Sequence, residues 1–366
     1  MNKVFVIGGD HHNTLGVIRG LGERGILSNL ILISSERKTF VDSSKYVSQK
    51  WIVKDNEQIL DVLLANKKKE KAVVICCSDY VSGVIDENYD LLKDHYYLPG
   101  GDYSGAISVL MNKNRMAELA KKIGLPIPQT FMLTSRDKAC DDILPCIVKP
   151  IISRNGKKSD IQIIKTKADL NVFLSQNDPT DYQIQSFIDK DFEYQLIGCR
   201  TNSGDVIIPG VSIILRPCKG SNTSFLHYIP LRTGFCDIKS AKKYVNETGY
   251  KGLFSLEFLR DKNGNDYFME MNFRNDGNAI CVTAAGISLP YIWYQDCIGY
   301  SYKEELKKNI RSVYIMPDMA ELKLLLTKQI SPSEYINDFR KTDRFMEFDK
   351  NDIIPFLRLI WKELHL

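Results

Sequence analysis

Two glutamates and one asparagine occupy alternate positions beside a predicted hairpin, in the segment LFSLEFLRDKNGNDYFMEMNFRNDGN. Asn263-Gly264 is a strong signal for a two-residue type I′ turn, because both central residues of that turn need positive φ. Residues at equal distance from such a turn face each other across the hairpin. We therefore predict that Glu257 faces Glu270 and that Asn272 faces Ser255.

This register predicts one polar and one apolar face, because successive side chains of a strand point to opposite faces. The polar face carries Glu257, Glu270 and Asn272, with Arg274 next along it. The other face is predicted to be core. It carries Phe254, Leu256, Phe258, Tyr267, Met269, Met271 and Phe273.

The two facing carboxylates indicate a metal site. Like charges directly opposite each other destabilise a sheet, and a divalent cation would turn that repulsion into attraction. Oxygen ligands from Glu257, Glu270 and Asn272 suit Mg²⁺, which takes a few carboxylates together with substrate phosphates. The alternative is a solvated sheet face on which two acids happen to face each other.

The composition narrows the function classes. The chain has 366 residues, and 49 Lys plus Arg against 45 Asp plus Glu give a net charge of +4. This length predicts two or three domains, and this charge does not indicate nucleic acid or a membrane surface as partner. The nine cysteines form no CxxC pair and the five histidines show no metal-ligand spacing, which argues against a disulfide framework and against zinc.

The sequence contains no apolar run that approaches the length of a membrane span. It begins with a strand-like run, so no signal peptide is expected. We expect a cytoplasmic protein, and its oligomeric state stays open.

Short apolar runs alternate with helix-like stretches along the first hundred or so residues. The runs are residues 4–7, 30–33 and 72–77. This βαβ alternation predicts a parallel sheet. Gly8-Gly9 is not a GxGxxG fingerprint, so a Rossmann-type oxidoreductase is disfavoured. A helix is predicted from Lys113 to the Gly124 stop, strand-rich sequence follows, and the C-terminal stretch turns helical.

The run Glu270-Met271-Asn272-Phe273-Arg274, with Glu257 upstream, resembles the ExNxR metal and phosphate motif of ATP-grasp enzymes. Lys113 precedes GLPIP, which is similar to the family's G-x-P-x-P entry segment. Lys149 in CIVKP resembles the strand lysine that contacts ATP. These segments occur along the chain in the same order as in the family.

Two more segments resemble the parts of ATP-grasp enzymes that bind the nucleotide. The run Gln185-Ser186-Phe187-Ile188 resembles the hinge that holds adenine, although it begins with Gln rather than the common Glu. Glu193 resembles the ribose-binding glutamate that follows this hinge. The phosphate loop is similar at Gly156 and Ser159, but Asp160 stands where the family commonly has Gly.

The resemblance covers nearly the whole chain and implies an α/β fold. An N-terminal Rossmann-like parallel-sheet domain, residues 1–110, would be followed by a two-lobed ATP-grasp fold. Its small lobe with the phosphate loop would span residues 111–188, its large lobe with the metal site residues 189–300, and a helical extension residues 301–366. The nearest branch is that of carbamoyl-phosphate-synthase-like and D-aspartate-ligase-like enzymes, to which residues 13–26 and 215–225 are similar.

The family implies an ATP-dependent ligase that activates a carboxylate as an acyl phosphate, joins it to an amine and releases ADP and phosphate. ATP and Mg²⁺, with Mn²⁺ as an alternative, would be the cofactors. Arg274 would stabilise the tetrahedral oxyanion, and Arg216 is the second candidate or a holder of the substrate carboxylate. The substrates would be a small carboxylate and an amine, with an amino acid or a cell-surface precursor as examples.

Two alternatives remain open at this point. The first is an ATP-grasp enzyme that activates bicarbonate, or that phosphorylates without ligation. The second is a non-catalytic nucleotide-binding module, for which loss of the acids would be expected, whereas Glu257, Glu270 and Asn272 are all present.

Overall fold

The structure is a computed structural model. It describes residues 3–36, 38–132, 144–150, 162–178, 182–217, 224–231, 234–235 and 237–364. Gly156 and Ser159 of the predicted phosphate loop therefore lie outside the described residues. In the part of the chain that is described, no helix has both the length and the apolar character needed to span a bilayer.

The N-terminal region forms the predicted parallel sheet, with strands in the order β3-β2-β1-β4-β5. Its strands are β1 Val4–Gly9, β2 Ser28–Ile33, β3 Val47–Val53, β4 Ala72–Cys76 and β5 Tyr96–Tyr97. The helices between them are α1 His12–Gly22, α2 Asn56–Ala65, α3 Asp79–Glu87 and α4 Tyr89–Leu92, with a short 3-10 turn at Val41–Ser43. Sequence patterning missed β3, because this edge strand is largely exposed and lacks a continuous apolar run.

A second, smaller sheet follows, with strands in the order β6-β9-β7-β8. Helices α5 Ala106–Leu110 and α6 Lys113–Ile123 precede it, and their buried residues pack in the core of the large antiparallel sheet. The elements of the small sheet itself are β6 Thr130–Met132, β7 Cys146–Pro150, β8 Gln162–Ile164, α7 Lys167–Gln176 and β9 Tyr182–Ser186. The predicted helix α6 is confirmed at both ends. The Asn112 side chain accepts hydrogen bonds from the backbone at its start, and Gly124 ends it with a φ of 87°.

The third sheet is mostly antiparallel and runs β15-β14-β10-β12-β13-β16-β17, with β11 paired to β10. Its strands are β10 Lys190–Arg200, β11 Val206–Ile207, β12 Gly210–Pro217, β13 Ser224–Pro230, β14 Gly252–Asp261, β15 Asp266–Asn272, β16 Val313–Met316 and β17 Arg344–Phe345. The helices are α8 Ile238–Glu247, α9 Ile280–Ala285, α10 Leu289–Cys297, α11 Lys303–Leu306, α12 Asp318–Leu326, α13 Pro332–Lys341 and α14 Ile354–Glu363.

The C-terminal stretch is not only helical, which corrects the prediction for residues 301–366. Strand β16 pairs with β13 at the edge of the large sheet, and β17 pairs with β16. After Val313 the chain therefore adds strands to a sheet whose preceding edge strand, β13, ends at Pro230. Short strands of this kind carry little sequence periodicity, and only the pairing partner identifies them. The boundaries of the four predicted segments remain a prediction.

A fully buried arginine ties the C-terminal stretch to the N-terminal helix. Arg19 of α1 is 0% exposed, and its Nε donates to Asp352 Oδ2 at 3.0 Å. Its terminal nitrogens donate to the backbone carbonyls of Met346, Glu347 and Asp352. A guanidinium without water needs all of these acceptors, because burying an unpaired charge is costly.

We expect Arg19→Met to destabilise the protein by about 3–5 kcal/mol, since it leaves the Asp352 carboxylate buried without its cation. The measurement is the urea midpoint and slope of the unfolding transition. Arg115→Met is the matched control, because Arg115 and Glu118 form an exposed pair one helical turn apart, whose loss costs about 0.5 kcal/mol or less. Equal effects of the two substitutions would contradict the structural role of Arg19.

Candidate active site

The predicted facing of the acidic residues is confirmed. Glu257 of β14 pairs with Glu270 of β15, and Ser255 pairs with Asn272. Strand alternation puts both glutamates and the asparagine on one face of the hairpin. Two carboxylates therefore lie directly opposite each other, as the metal-site prediction requires.

The turn differs from the prediction. The Asp261 backbone N–H donates to the Asn265 carbonyl at 2.9 Å, so three residues rather than two form the loop, and Gly264 takes a φ of 85°. The Asp261 carboxylate accepts the backbone N–H groups of Asn263 and Asn265, which stabilises this longer loop. The extra residue shifts the register by one, and a β-bulge that leaves Met269 unpaired shifts it back.

The same bulge changes which side chains enter the core. Buried as predicted are Phe254, Leu256, Phe258, Met271 and Phe273. The prediction was wrong for Tyr267 and Met269, which are only partly buried, and Phe268 is buried in their place. Met269 instead lines the cleft beside the small sheet.

Glu257 lies where burial and neighbouring acids oppose its ionisation. Burial, then Glu270 and Asp276, raise the pKa of Glu257 to about 8. Two side-chain amides donate to its Oε1, from Asn272 at 2.9 Å and from Gln195 at 3.2 Å. A carboxyl group in this state gains most from a cation, because the ion would remove both the repulsion and the desolvation cost.

Arg274 holds the polar face in place. Burial lowers the pKa of its guanidinium, but Asp79 and Asp276 more than offset this, so the pKa of Arg274 is raised. One terminal nitrogen donates to Asp276 and to the Asn275 carbonyl, and the other to Asp79 and Asn272. All four terminal N–H groups are thus in use, and the contact with Asn272 orients the amide that reaches Glu257.

Sequence reasoning missed several polar side chains of this network. Gln195 accepts from Asn278 at 2.9 Å, and Ser255 donates to Asp276 at 2.8 Å. Asp276 and Asn278 follow the predicted motif within four residues, so their proximity was a usable signal. Gln195 and Asp79 come from distant strands and helices, and no local pattern marks them.

Two lysines, one on α6 and one on β7, lie close to the acidic pair. Lys113 Nζ lies 3.4 Å from Glu270 Oε2, and the buried Lys149 donates to Gln185 Oε1 at 3.0 Å. Burial and then Lys113 lower the pKa of Lys149 to about 8, against the attraction of Glu270 and Glu257. Two lysines, one from α6 and one from the small sheet, are therefore close to two carboxylates of the large sheet.

A narrow cleft that is partly open to solvent lies between β15 and the small sheet beside these lysines, and Glu257 and Glu270 are not among its lining residues. Polar groups and apolar walls both line it. The lining residues are Lys113, Ala117, Ile127, Thr130, Lys149, Gln183, Gln185, Phe268 and Met269. Three of the predicted site residues, Lys113, Lys149 and Gln185, are among them.

The rest of the predicted hinge follows Gln185 along the chain and is not among the residues that line the cleft. The backbone N–H groups of Ser186 and Phe187 donate to the carbonyls of Gln129 and Pro145. Ile188 follows at the crossing from the small sheet to β10. Glu193 lies on β10, is half-buried and forms an ion pair with Lys190.

Arg216 is not brought to the acidic pair by its described contacts. Its guanidinium lies 2.7 Å from Glu321 in α12 and 2.6 Å from Asp338 in α13. These helices come from the stretch after residue 301, which sequence reasoning had not connected to β12. The predicted catalytic role of Arg216 therefore remains a prediction, and its present contacts tie the C-terminal helices to the sheet.

The described residues contain no group of three or more His, Cys, Asp or Glu side chains arranged to hold a metal ion. The predicted set has two carboxylates and one amide, Glu257, Glu270 and Asn272. Such a set leaves coordination positions for phosphate and water, which is how Mg²⁺ is usually held. The residues present fit Mg²⁺ bound together with a nucleotide and do not fit a closed structural metal site.

We expect Glu257 to make the free energy of unfolding fall as pH rises from about 5 to 7.5, because it keeps its proton in the folded protein and loses it when unfolded. The native state then binds more protons than the unfolded state, and this one group contributes up to about 1.4 kcal/mol per pH unit. Lys149 acts in the opposite direction, but only above about pH 8. Burial also raises the pKa of Glu347, which acts in the same direction as Glu257, and lowers the pKa of His12, which acts in the opposite direction, so the test compares the variant with wild type.

Glu257→Gln should flatten this dependence, whereas Glu363→Gln, at an exposed position, should leave it unchanged. The measurement is the denaturant midpoint across the pH range without added metal. An unchanged slope in Glu257→Gln would contradict the raised pKa.

No protein-family model matches the chain. A formate-dependent phosphoribosylglycinamide formyltransferase of Ignicoccus hospitalis is 24% identical over 250 residues, which cover 64% of this chain and 60% of the relative. The C-terminal section of the carbamoyl phosphate synthase large chain of Methanopyrus kandleri is 23% identical over 212 residues, 54% of this chain and 39% of that protein. The chain thus spans about three fifths or less of the length of these curated relatives.

Solved structures extend the likeness to the fold. The N5-carboxyaminoimidazole synthetase of Staphylococcus aureus, complexed with ADP, matches with a TM-score of 0.65 at 17% identity. The match covers 90% of this chain and 87% of that one. The parallel sheet, the two further sheets and the cleft between them correspond to the architecture that the sequence resemblance implied. The chain is similar to these proteins in sequence over part of its length, and its fold is the one that the resemblance to ATP-grasp enzymes implied.

Proposed function

We propose that the chain is an ATP-dependent carboxylate–amine ligase that forms an amide or peptide bond through an acyl phosphate and releases ADP and phosphate. One observation carries this proposal. Lys113 of α6 and Lys149 of the small sheet lie close to the facing pair Glu257 and Glu270 of the large sheet. Few activities other than nucleotide phosphate chemistry need this combination of charges.

The charges suit the first step of such a reaction. A carboxylate that attacks the γ-phosphoryl group is an anion approaching an anion, so positive charge must be fixed around both. Lys113 and Lys149 would supply it from one side of the cleft. Mg²⁺ held by Glu257, Glu270 and Asn272 would neutralise the phosphates from the other side.

The nucleotide would lie along the cleft with its base toward the hinge. We assign the base to Gln185 through Ile188 and the ribose to Glu193. The phosphates would lie near Gly156 and Ser159 of the loop that follows Lys149. In this scheme the segment from about Pro128 to Ile188 is the lobe that closes over ATP and excludes water from the acyl phosphate. Residues 189–300 supply the metal side, and residues 1–110 border the acceptor.

The two arginines receive different roles. Arg274 keeps a proposed part in stabilising the oxyanion, but its terminal N–H groups are already bonded, so we propose that it acts first by orienting Asn272. Arg216 would have to exchange Glu321 or Asp338 for a substrate carboxylate before it could hold one.

The substrates we propose are a small carboxylate and a small amine. The names of the relatives refer to formate and phosphoribosylglycinamide for one protein and to carboxyaminoimidazole for another. An amino acid acceptor remains compatible with this class. None of the described contacts selects an amino acid or a cell-surface precursor.

Bicarbonate is a second candidate for the activated carboxylate. It is favoured by the likeness to a synthetase whose name contains a carboxylated amine. ATP hydrolysis that depends on bicarbonate and needs no other carboxylate would support it. A purely nucleotide-binding module is disfavoured, because both glutamates of the acidic pair are retained.

A reducing compartment, the cytoplasm, remains the proposed location. The described cysteines include six that are free and buried, at positions 76, 77, 146, 199, 281 and 297. Buried free thiols are typical of proteins that do not rely on disulfides.

We expect Glu270→Gln to lower turnover roughly a hundredfold or more. The protein should remain folded, because the Glu270 side chain is partly exposed beside Lys113 and is not part of the core. Steady-state phosphate release and the thermal midpoint are the two measurements. Glu247→Gln, an exposed glutamate on α8, is the matched control and should behave as wild type. Near-normal turnover in Glu270→Gln would remove the metal assignment.

The nucleotide product tests the reaction class. The proposed route makes ADP and orthophosphate, and hydroxylamine should trap the activated carboxylate as a hydroxamate. A panel of small carboxylates, each with and without amines, can be scored for ADP and for hydroxamate by mass analysis. Formation of AMP and pyrophosphate would overturn the proposed mechanism.

A further inference from the structure

Gln183 is a buried glutamine of the cleft that carries an unpaired hydrogen-bond acceptor. It lies on β9, the strand between β6 and β7 in the small sheet. Its side chain is 2% exposed and lines the cleft, and its Oε1 has no hydrogen-bond partner. A buried carbonyl without a donor costs free energy, so its retention calls for a ligand that donates to it.

The neighbouring amide on the same face of β9 is already satisfied. Gln185 Oε1 accepts from Lys149 at 3.0 Å, and Gln185 Nε2 donates to Thr130 Oγ1 at 3.0 Å. The lysine can only donate, so this chain of bonds determines which end of the Gln185 amide points which way. Of the two glutamines that line the cleft, Gln183 is therefore the one whose side-chain oxygen accepts no hydrogen bond.

The charges around Gln183 favour its carbonyl, rather than its NH₂ group, toward the ligand. Lys149 is its direct partner across the β7–β9 pair, and Lys113 lines the same cleft. Two ammonium groups attract the negative end of the amide dipole. The apolar side chains of Ile127, Phe268 and Met269 provide walls that suit a flat aromatic ring.

We propose that Gln183 Oε1 accepts a hydrogen bond from the exocyclic amino group of the bound nucleobase and so selects a 6-aminopurine over a 6-oxopurine. This inference rests on the proposed function, since it places a nucleotide in the cleft. A 6-oxo group would set two acceptors against each other, which a buried site rejects strongly. The Thr130–Gln185–Lys149 chain keeps the adjacent amide from rotating to compensate.

Calorimetric titration of the full-length protein with three nucleotides tests the proposal. They are ATP, inosine triphosphate with a 6-oxo group, and purine riboside triphosphate with only hydrogen at that position. Wild type should bind ATP most tightly and inosine triphosphate most weakly. Gln183→Met keeps the volume and removes the acceptor, so ATP affinity should fall about tenfold to a hundredfold. Affinity for purine riboside triphosphate should stay the same, and affinity for inosine triphosphate should stay the same or rise.

Gln176→Met is the matched control, because Gln176 is an exposed glutamine of the same lobe. It should leave all three affinities unchanged. The thermal midpoint gives a second readout. Gln183→Met should melt at or above the wild-type midpoint, since it removes an unpaired polar atom from a buried position.

Unchanged ATP affinity in Gln183→Met would overturn the proposal. An equal loss for all three nucleotides would also overturn it, because Gln183 would then only shape the cleft. Wild-type protein that binds no nucleotide would remove the proposed function itself, whereas wild type that binds all three equally would remove only the assignment of Gln183.

Discussion

Glu257 and Glu270 face each other across an antiparallel pair of strands, so their carboxylates repel each other when both are charged. The charges and hydrogen bonds of the surrounding residues compensate this repulsion. The backbone pairing leaves neither carboxylate free to move away. Part of the charge is relieved by keeping a proton on Glu257, and part by the ammonium group of Lys113. Both arrangements are of the kind that a divalent cation and nucleotide phosphates can replace. The site is therefore electrostatically unsatisfied by itself, which is a common property of binding sites.

The polar network around this pair connects all three sheets. Arg274 follows the large sheet and reaches Asp79 at the start of α3 in the N-terminal region. Lys149 of β7 links the small sheet to the same acidic pair, because Glu270 and Glu257 raise the pKa of its ammonium group against the effect of burial. A small displacement of either neighbouring region would change the charge around Glu257. Binding at the cleft can thus be coupled to the relative position of the lobes through a few ion pairs.

Gln185 is a neutral residue that accepts a hydrogen bond from a buried lysine. Gln185 gives Lys149 a hydrogen-bond acceptor but no negative charge. The lysine is therefore compensated mainly by the glutamates of the other lobe, and burial lowers its pKa. A carboxylate at this position would satisfy the lysine within the small lobe alone. With glutamine at this position, Lys149 depends more on its attraction to Glu257 and Glu270 than it would beside a carboxylate.

The sequence by itself determined the features that depend on local periodicity and short motifs. These include the parallel N-terminal sheet, helix α6 with its caps and the facing of Glu257 and Glu270, because alternation and capping act within a few residues. It could not determine the three-residue loop or the bulge at Met269, whose opposite register shifts cancel and leave no trace in the pattern. The partners of Arg216, the strand pairing of β16 and the free acceptor of Gln183 were decided only by the tertiary structure. Each depends on contacts between segments far apart in the chain, and no local pattern of residue types encodes which distant group will occupy a given hydrogen bond.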